Sequence, residues 1–233
     1  MTRWLELADG VLARRYEHLD QTLGLVVGRE RCLVVDTSGD EVQGAEFAAA
    51  IREITALPWL VVLTHAHFDH HFGTRAFLPC RVWAHERCRP AMGADRAEWA
   101  TKFRQEGSGE LAARLEEAEL VPPTDTLATE VALDLGGRRV TLLHPGRGHT
   151  DHDVAVHVPD AAVLFAGDLV EQGAPPSIGP DSHAAEWPHA LDRLLALRPG
   201  TIVPGHGDPV DAAFVRRQRD ELSRSSARPS GSA

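Results

Sequence analysis

Apolar residues in this chain follow two rhythms that alternate along its length. Short runs bounded by polar or glycine-containing turns, Val11-Leu12-Ala13, Leu23-Gly24-Leu25-Val26-Val27 and Cys32-Leu33-Val34-Val35, read as β-strands. Asp36-Thr37-Ser38-Gly39-Asp40 closes this set, and Asp40 with Gln43 forms a capping pair for the segment that follows. There Phe47, Ile51 and Ile54 recur at i, i+4 and i+7, which predicts a helix with one apolar face that Pro58 ends. Leu60-Val61-Val62-Leu63 is apolar on both faces, as at the buried centre of a sheet.

From about 86 to 120 the chain is charged and helical in pattern, with Leu111, Leu115 and Ala118 on one stripe. Gly107-Ser108-Gly109 divides it into two helices and Val121-Pro122-Pro123 stops it. We expect a helical insertion here, lying as a lid near the functional site rather than as a brace. Strand signals resume at Val131-Ala132-Leu133, Val140-Thr141-Leu142-Leu143, Val154-Ala155-Val156, Ala162-Val163-Leu164-Phe165 and Ile202-Val203. Asp181-Ser182 is expected to cap a helix carrying Trp187, Leu191, Leu194 and Leu195, which Pro199-Gly200 ends, and a weaker helix follows over 211–222. Two blocks of strands, each followed by helices, predict sheets packed together with helices outside. Residues 1–222 read as one domain, and the small, polar tail 223–233 as disordered.

Composition narrows the partners. The 233 residues carry 24 Lys+Arg against 34 Asp+Glu, a formal charge of -10, which leaves no electrostatic footprint for nucleic acid. The one compact basic run, Arg216-Arg217-Gln218-Arg219, reads as a solvated helix face. No apolar run approaches the roughly 20 residues that span a bilayer, so no membrane partner is expected. Met1-Thr2-Arg3-Trp4-Leu5-Glu6 lacks the signature of a signal peptide, and three cysteines, Cys32, Cys80 and Cys88, make no disulfide framework. The expectation is a cytoplasmic protein acting on a small molecule, and none of these features specifies an oligomeric state.

The chemistry lies in a set of histidines and aspartates. In Thr64-His65-Ala66-His67-Phe68-Asp69-His70 a strand ends at Leu63, and residues two apart in extended chain face the same way. His65 and His67 can therefore converge on one ion. Asp69 and His70 follow once the chain turns, and can point to a neighbouring position. Imidazoles with a carboxylate suit zinc, and also iron or manganese. Three more candidates stand where strands give way to loops: His149 in Gly148-His149-Thr150, Asp168 in Ala166-Gly167-Asp168, and His206 in Pro204-Gly205-His206-Gly207. Gathered at one edge of layered sheets, the seven would form a single cleft. His144 and His152 flank His149 and are candidates for orienting a ligand, His71 is expected to point away from the site, and His18, His85, His157 and His189 read as surface or packing residues.

His-x-His-x-Asp-His, with the three downstream positions in order, resembles the metallo-β-lactamase-fold superfamily over nearly all of residues 1–222. The resemblance implies a four-layer αββα sandwich with two divalent metal ions at one edge of the sheets. It implies that His65, His67 and His149 hold the first ion, that Asp69, His70 and His206 hold the second, and that Asp168 bridges them.

Departures from particular subfamilies carry the next step. Asp168 stands where true zinc β-lactamases of the family typically have Cys or Ser, which argues against β-lactam hydrolysis as the primary role. The segment Leu169-Val170-Glu171-Gln172-Gly173 lacks the Gly-Cys-Gly-Arg of glutathione-thioester hydrolases and the Tyr of homoserine-lactone hydrolases. His67 replaces the Glu typical of flavodiiron relatives, and no RNA-binding domain accompanies the fold. The implied reaction is hydrolysis of an ester, thioester, lactone or related acyl bond by water activated between the metals, with Asp69 as the catalytic residue that orients it. The loop 171–183 is expected to line the pocket, with His183 touching substrate. Two rival readings stand beside this one: a mononuclear-iron oxygenase acting on thiol persulfides, and a binding protein that keeps the site without turnover.

Overall fold

A computed structural model of the chain describes residues 2–226. The N-terminal half forms one sheet of seven strands in chain order: β1 (Arg3–Ala8), β2 (Val11–Arg15), β3 (Thr22–Val27), β4 (Cys32–Val35), β5 (Trp59–Val62), β6 (Val82–His85) and β7 (Asp125–Leu127). Pairing is antiparallel from β1 to β4 and parallel from β4 to β7. Between β4 and β5 runs α1 (Glu41–Ile54), a right-sized crossover for a parallel pair. A one-turn helix α2 (Phe68–His71) follows β5, and α3 (Cys88–Ala91), α4 (Arg96–Gln105) and α5 (Gly109–Glu117) fill the stretch before β7. The second sheet has the order β12-β11-β10-β9-β8, built from β8 (Glu130–Asp134), β9 (Arg139–Leu143), β10 (Ala155–Val158), β11 (Val163–Glu171) and β12 (Thr201–His206). Two helices, α6 (Trp187–Ala196) and α7 (Ala212–Ser226), complete it.

Side chains that alternate along each strand explain the layers. Val26, Leu33, Val35 and Val62 of the first sheet meet Val140, Leu142, Val156 and Phe165 of the second in a core between the sheets. Their neighbours in sequence, Leu25, Cys32, Val34 and Val61, face the other way and pack on Phe47, Ala48 and Ile51 of α1. On the far side Ala155, Leu164 and Ile202 pack on Trp187, Leu191 and Leu194 of α6 and on Val215 and Leu222 of α7. The result is the αββα sandwich. A fourth, smaller core joins the helical insertion to α2: Phe68 and Phe72 pack with Ala100, Phe103, Ala112 and Leu115. The insertion is thereby fastened to the loop that carries four of the expected ligands.

Three expectations are corrected. Ile54 is 39% exposed, because it is the last residue of α1 and the chain turns extended at Thr55; the buried face is Gly44, Phe47, Ala48 and Ile51. Asp181-Ser182 does not cap α6, whose N-cap is Glu186; the Asp181 carboxylate is taken by His67 instead. The last helix continues through Ser226, beyond the expected end at Leu222, while 227–233 lie outside the described residues. Among the described residues no helix is long and apolar enough to cross a membrane.

Candidate metal centre

All seven expected ligands come to one edge of the sandwich. His65 and His67 leave the end of β5, Asp69 and His70 lie in α2, and His149 sits in the loop after β9. Asp168 lies within β11 and His206 ends β12, its parallel neighbour. Ligand atoms of His65, His67, His149 and Asp168 all lie within 4.8 Å of one another, and those of Asp69, His70 and His206 form a second such group. His67 Nδ1 stands 3.1 Å from His65 Nε2 and 2.9 Å from His149 Nε2. Ligands placed tetrahedrally at zinc distances stand about 3.3 Å apart.

Asp168 faces both groups. Its Oδ2 is 3.7 Å from His65 Nε2, 3.5 Å from His149 Nε2 and 3.4 Å from His206 Nε2, while Oδ1 is 3.2 Å from His70 Nε2. Asp69 Oδ2 is 3.2 Å from His206 Nε2 and 3.6 Å from His70 Nε2. His70 Nε2 and Asp168 Oδ1 are buried and have no hydrogen-bond partner. Two buried polar atoms left without a partner are costly unless something satisfies both. A divalent cation does, and the His and Asp donor set fits one.

Each imidazole is oriented from behind, which fixes its tautomer and turns its other nitrogen inward. His70 Nδ1–H donates to Asp36 Oδ2 at 2.8 Å, His149 Nδ1–H to the Ser177 carbonyl at 3.1 Å, and His206 Nδ1–H to the Leu19 carbonyl at 2.7 Å. His67 Nε2–H donates to Asp181 Oδ2 at 2.9 Å. His65 Nδ1–H reaches Thr64 Oγ1 at 3.0 Å, and that hydroxyl donates to Asp36 Oδ2 at 2.7 Å. The peptide between the first two ligands is clamped: Ala66 N–H donates to His152 Nε2 and the Ala66 carbonyl accepts from His71 Nε2–H, both at 3.1 Å. His71 and His152 thus position the ligand loop. His144 does not touch a ligand: its Nδ1–H donates to the Asp153 carbonyl at 2.8 Å. Its ring lies 4.3 Å from that of His85, which is buried.

Asp36 was missed in the sequence, where it reads as an ordinary turn aspartate after a strand. Its φ of 61° places a non-glycine residue in the left-handed region, an arrangement that costs about 1–3 kcal/mol and is found at functional sites. Close packing also shapes the centre. A Cβ on Gly205 would stand 1.8 Å from Asp168 Oδ1, so only glycine lets β12 approach that carboxylate.

Burial alone would raise the Asp69 carboxyl, but His70 and His206 beside it pull it down to about 2. Burial also lowers His149 to about 4, keeping the imidazole neutral and able to ligate. Glu171, at the end of β11, is pushed up to about 8 by burial and then by the charge of Asp168.

Above the centre opens a cavity of about 700 Å³. The insertion supplies one wall, with Asp95, Glu98 and Trp99, and the expected loop supplies another, with Glu171, Ser177, Asp181 and His183. Leu19, Asp20 and Phe68 close it. His183 borders the cavity, its amide donating to the Gly148 carbonyl at 2.8 Å. Asp95 Oδ2 accepts the Phe68 amide at 2.9 Å and so ties the insertion to α2.

The fold and this centre define a metal-dependent hydrolase, and comparison with known proteins agrees. A family model described as the metallo-beta-lactamase superfamily matches residues 19–206, and the chain belongs to that superfamily. It is 28% identical over 206 residues to the metallo-beta-lactamase type 2 of Bacillus cereus, covering 85% of this chain and 72% of that protein. It is 29% identical over 226 residues to the acyl-coenzyme A thioesterase MBLAC2 of Homo sapiens, covering 86% and 79%. Among solved structures, the metallo-beta-lactamase FIM-1 from Pseudomonas aeruginosa superposes with a TM-score of 0.74 at 19% identity, covering 97% of each chain.

Proposed function

We propose that this protein hydrolyses acyl bonds (ester, thioester or lactone) in small molecules with two divalent metal ions. The observation that carries this reading is Asp168, whose two carboxylate oxygens face the ligands of both groups at once. His65, His67 and His149 would hold one ion, Asp69, His70 and His206 the other, and Asp168 would bridge them. Zinc suits this donor set, with iron or manganese as substitutes. Bound there, the ions would supply a hydroxide-like nucleophile at neutral pH and Lewis acidity toward the carbonyl oxygen.

The chain's own groups do the rest. Asp69 is held ionised, and its carboxylate lines the cavity, where it would orient the attacking water. His71 and His152 hold the Ala66 peptide so that His65 and His67 keep their aim. Phe68, Trp99 and Leu19 offer an apolar wall for the acyl group and help exclude water from the reacting bond. Among the described residues the cavity lining includes no Lys or Arg, whereas Asp20, Asp95, Glu98, Asp151 and Asp181 all contribute to it. Asp20, Asp151 and Asp181 are paired with Arg15, Arg87 and His67, so Glu98 is the wall carboxylate best placed to act on a charged substrate group. The 29% identity to an acyl-coenzyme A thioesterase supports including thioesters. Free thiols at Cys32, Cys80 and Cys88 are in keeping with a cytoplasmic setting.

A panel of small esters, thioesters and lactones, assayed before and after metal stripping and reloading, tests the reading. Hydrolysis that disappears on stripping, returns with zinc or manganese, and is absent from His67→Ala is expected. One iron per chain with oxygen-dependent turnover, or an inactive protein fully loaded with metal, would overturn it.

A further inference from the structure

The connection between β2 and β3 is strained, and its strain is spent on one half of the metal centre. Leu19 and Asp20, two consecutive non-glycine residues, both adopt a φ of 56°. L-residues avoid that region, and such pairs persist only where surrounding contacts over-determine them. Here the contacts are abundant. The Tyr16 amide donates to the Gln21 carbonyl at 2.8 Å, and the Gly207 amide donates to the Asp20 carbonyl at 2.8 Å. Thr22 Oγ1 donates to the Gly207 carbonyl at 2.6 Å. Arg15 pairs with both Asp20 and Asp208, pinning the turn to the segment just after His206.

The conformation so imposed aims two groups. The Leu19 carbonyl receives His206 Nδ1–H at 2.7 Å, leaving His206 Nε2 toward Asp69 and Asp168. The Gln21 side chain, 2% exposed, donates its Nε2–H to the Asp69 carbonyl. The two residues so held, His206 and Asp69, belong to the second ligand group. The first group takes its orientation from other partners: His65 from Thr64, His67 from Asp181 and His149 from the Ser177 carbonyl.

From this division we infer that the turn between β2 and β3 is a positioning device for the second metal ion alone, acting through Leu19 and Gln21 on His206 and Asp69. The inference rests on the two-metal reading above. Neither residue is a catalytic residue in this role; each acts through a ligand. The consequence is that affinity at the second position can be tuned, or lost, while the first position stays filled.

Stepwise titration of the metal-stripped full chain with zinc, followed calorimetrically, tests it. Gln21→Leu removes the donor to Asp69 while keeping an apolar bulk of similar size. Partners of this kind contribute about 10- to 100-fold in metal affinity. The second binding step should weaken by about that factor and the first should stay within about threefold. Leu19→Ile, a β-branched residue in the left-handed region, should weaken the second step as well. Leu19→Gly tolerates the same φ and should disturb the second step less than Leu19→Ile does. Equal weakening of both steps, or an unchanged second step in Gln21→Leu, would overturn the inference. A wild-type chain that takes up a single ion would instead overturn the two-metal reading itself.

Discussion

Asp36 Oδ2 lies 2.8 Å from His70 Nδ1, and the same oxygen accepts the hydroxyl of Thr64, which in turn receives His65 Nδ1–H. One carboxylate that never faces the cavity therefore orients a ligand from each metal position. Asp36→Ala should lower metal affinity at both positions by about 10- to 100-fold. Equilibrium dialysis against zinc would show this, and Asp36→Asn, which can still accept from His70, should recover part of the loss. Unchanged affinity at both positions would contradict the assignment.

Gly205→Ala tests how tightly β12 packs on the bridging carboxylate. The added Cβ would stand 1.8 Å from Asp168 Oδ1, so one or the other must move. Overpacking of this kind costs about 1–3 kcal/mol, and displacement of Asp168 should cut hydrolysis by at least tenfold. Thermal unfolding together with initial rates would measure both effects.

The charge of the cavity wall predicts substrate preference. Glu98 lines the wall, and no ion pair engages it among the described residues. With matched cationic and anionic esters, Glu98→Lys should reduce the preference for the cationic one about three- to tenfold at low salt. Raising the ionic strength should shrink the effect, since the group is exposed. A preference that does not respond to the substitution would remove the wall from substrate selection.

His85 predicts a pH dependence of stability. Burial, reinforced by His144 and Arg87, lowers this imidazole to about 4, against about 6.5 in an unfolded chain. Its Nε2–H donates to the Ala128 carbonyl and its Nδ1 accepts the Arg87 amide, so the fold requires the neutral ring. The unfolded chain binds the proton first as pH falls. The stability His85 contributes is thus complete above about pH 6.5 and is lost progressively toward pH 4. In denaturant unfolding, the gap between the wild type and His85→Gln should be widest above pH 6.5 and narrow below it.

Much of the architecture is legible in the sequence because it rests on burial. The strands β3, β4, β5 and β10 are buried along most of their length, so their apolar runs stand out, and the glycines at 107 and 109 mark where the insertion divides. The ligand loop is legible for a different reason, since a strand end fixes which way alternate side chains point. The edge strand β1 is half exposed and carries no such run, and β7 has only three residues. The groups that orient the ligands left the weakest trace. The Leu19 and Ser177 carbonyls are main-chain atoms with no side-chain signature, and Asp181 is 114 residues from the His67 it holds. Asp181 instead looked like a helix cap, the commoner use of an aspartate beside a serine.

The reading turns on two ions sharing Asp168, and an anomalous-scattering crystal structure of the zinc-loaded protein addresses it most directly. It should show two metal peaks about 3.5–4 Å apart. One should lie among His65, His67 and His149, the other among Asp69, His70 and His206, with Asp168 touching both. A single fully occupied peak, or an Asp168 carboxylate bound to only one ion, would contradict it.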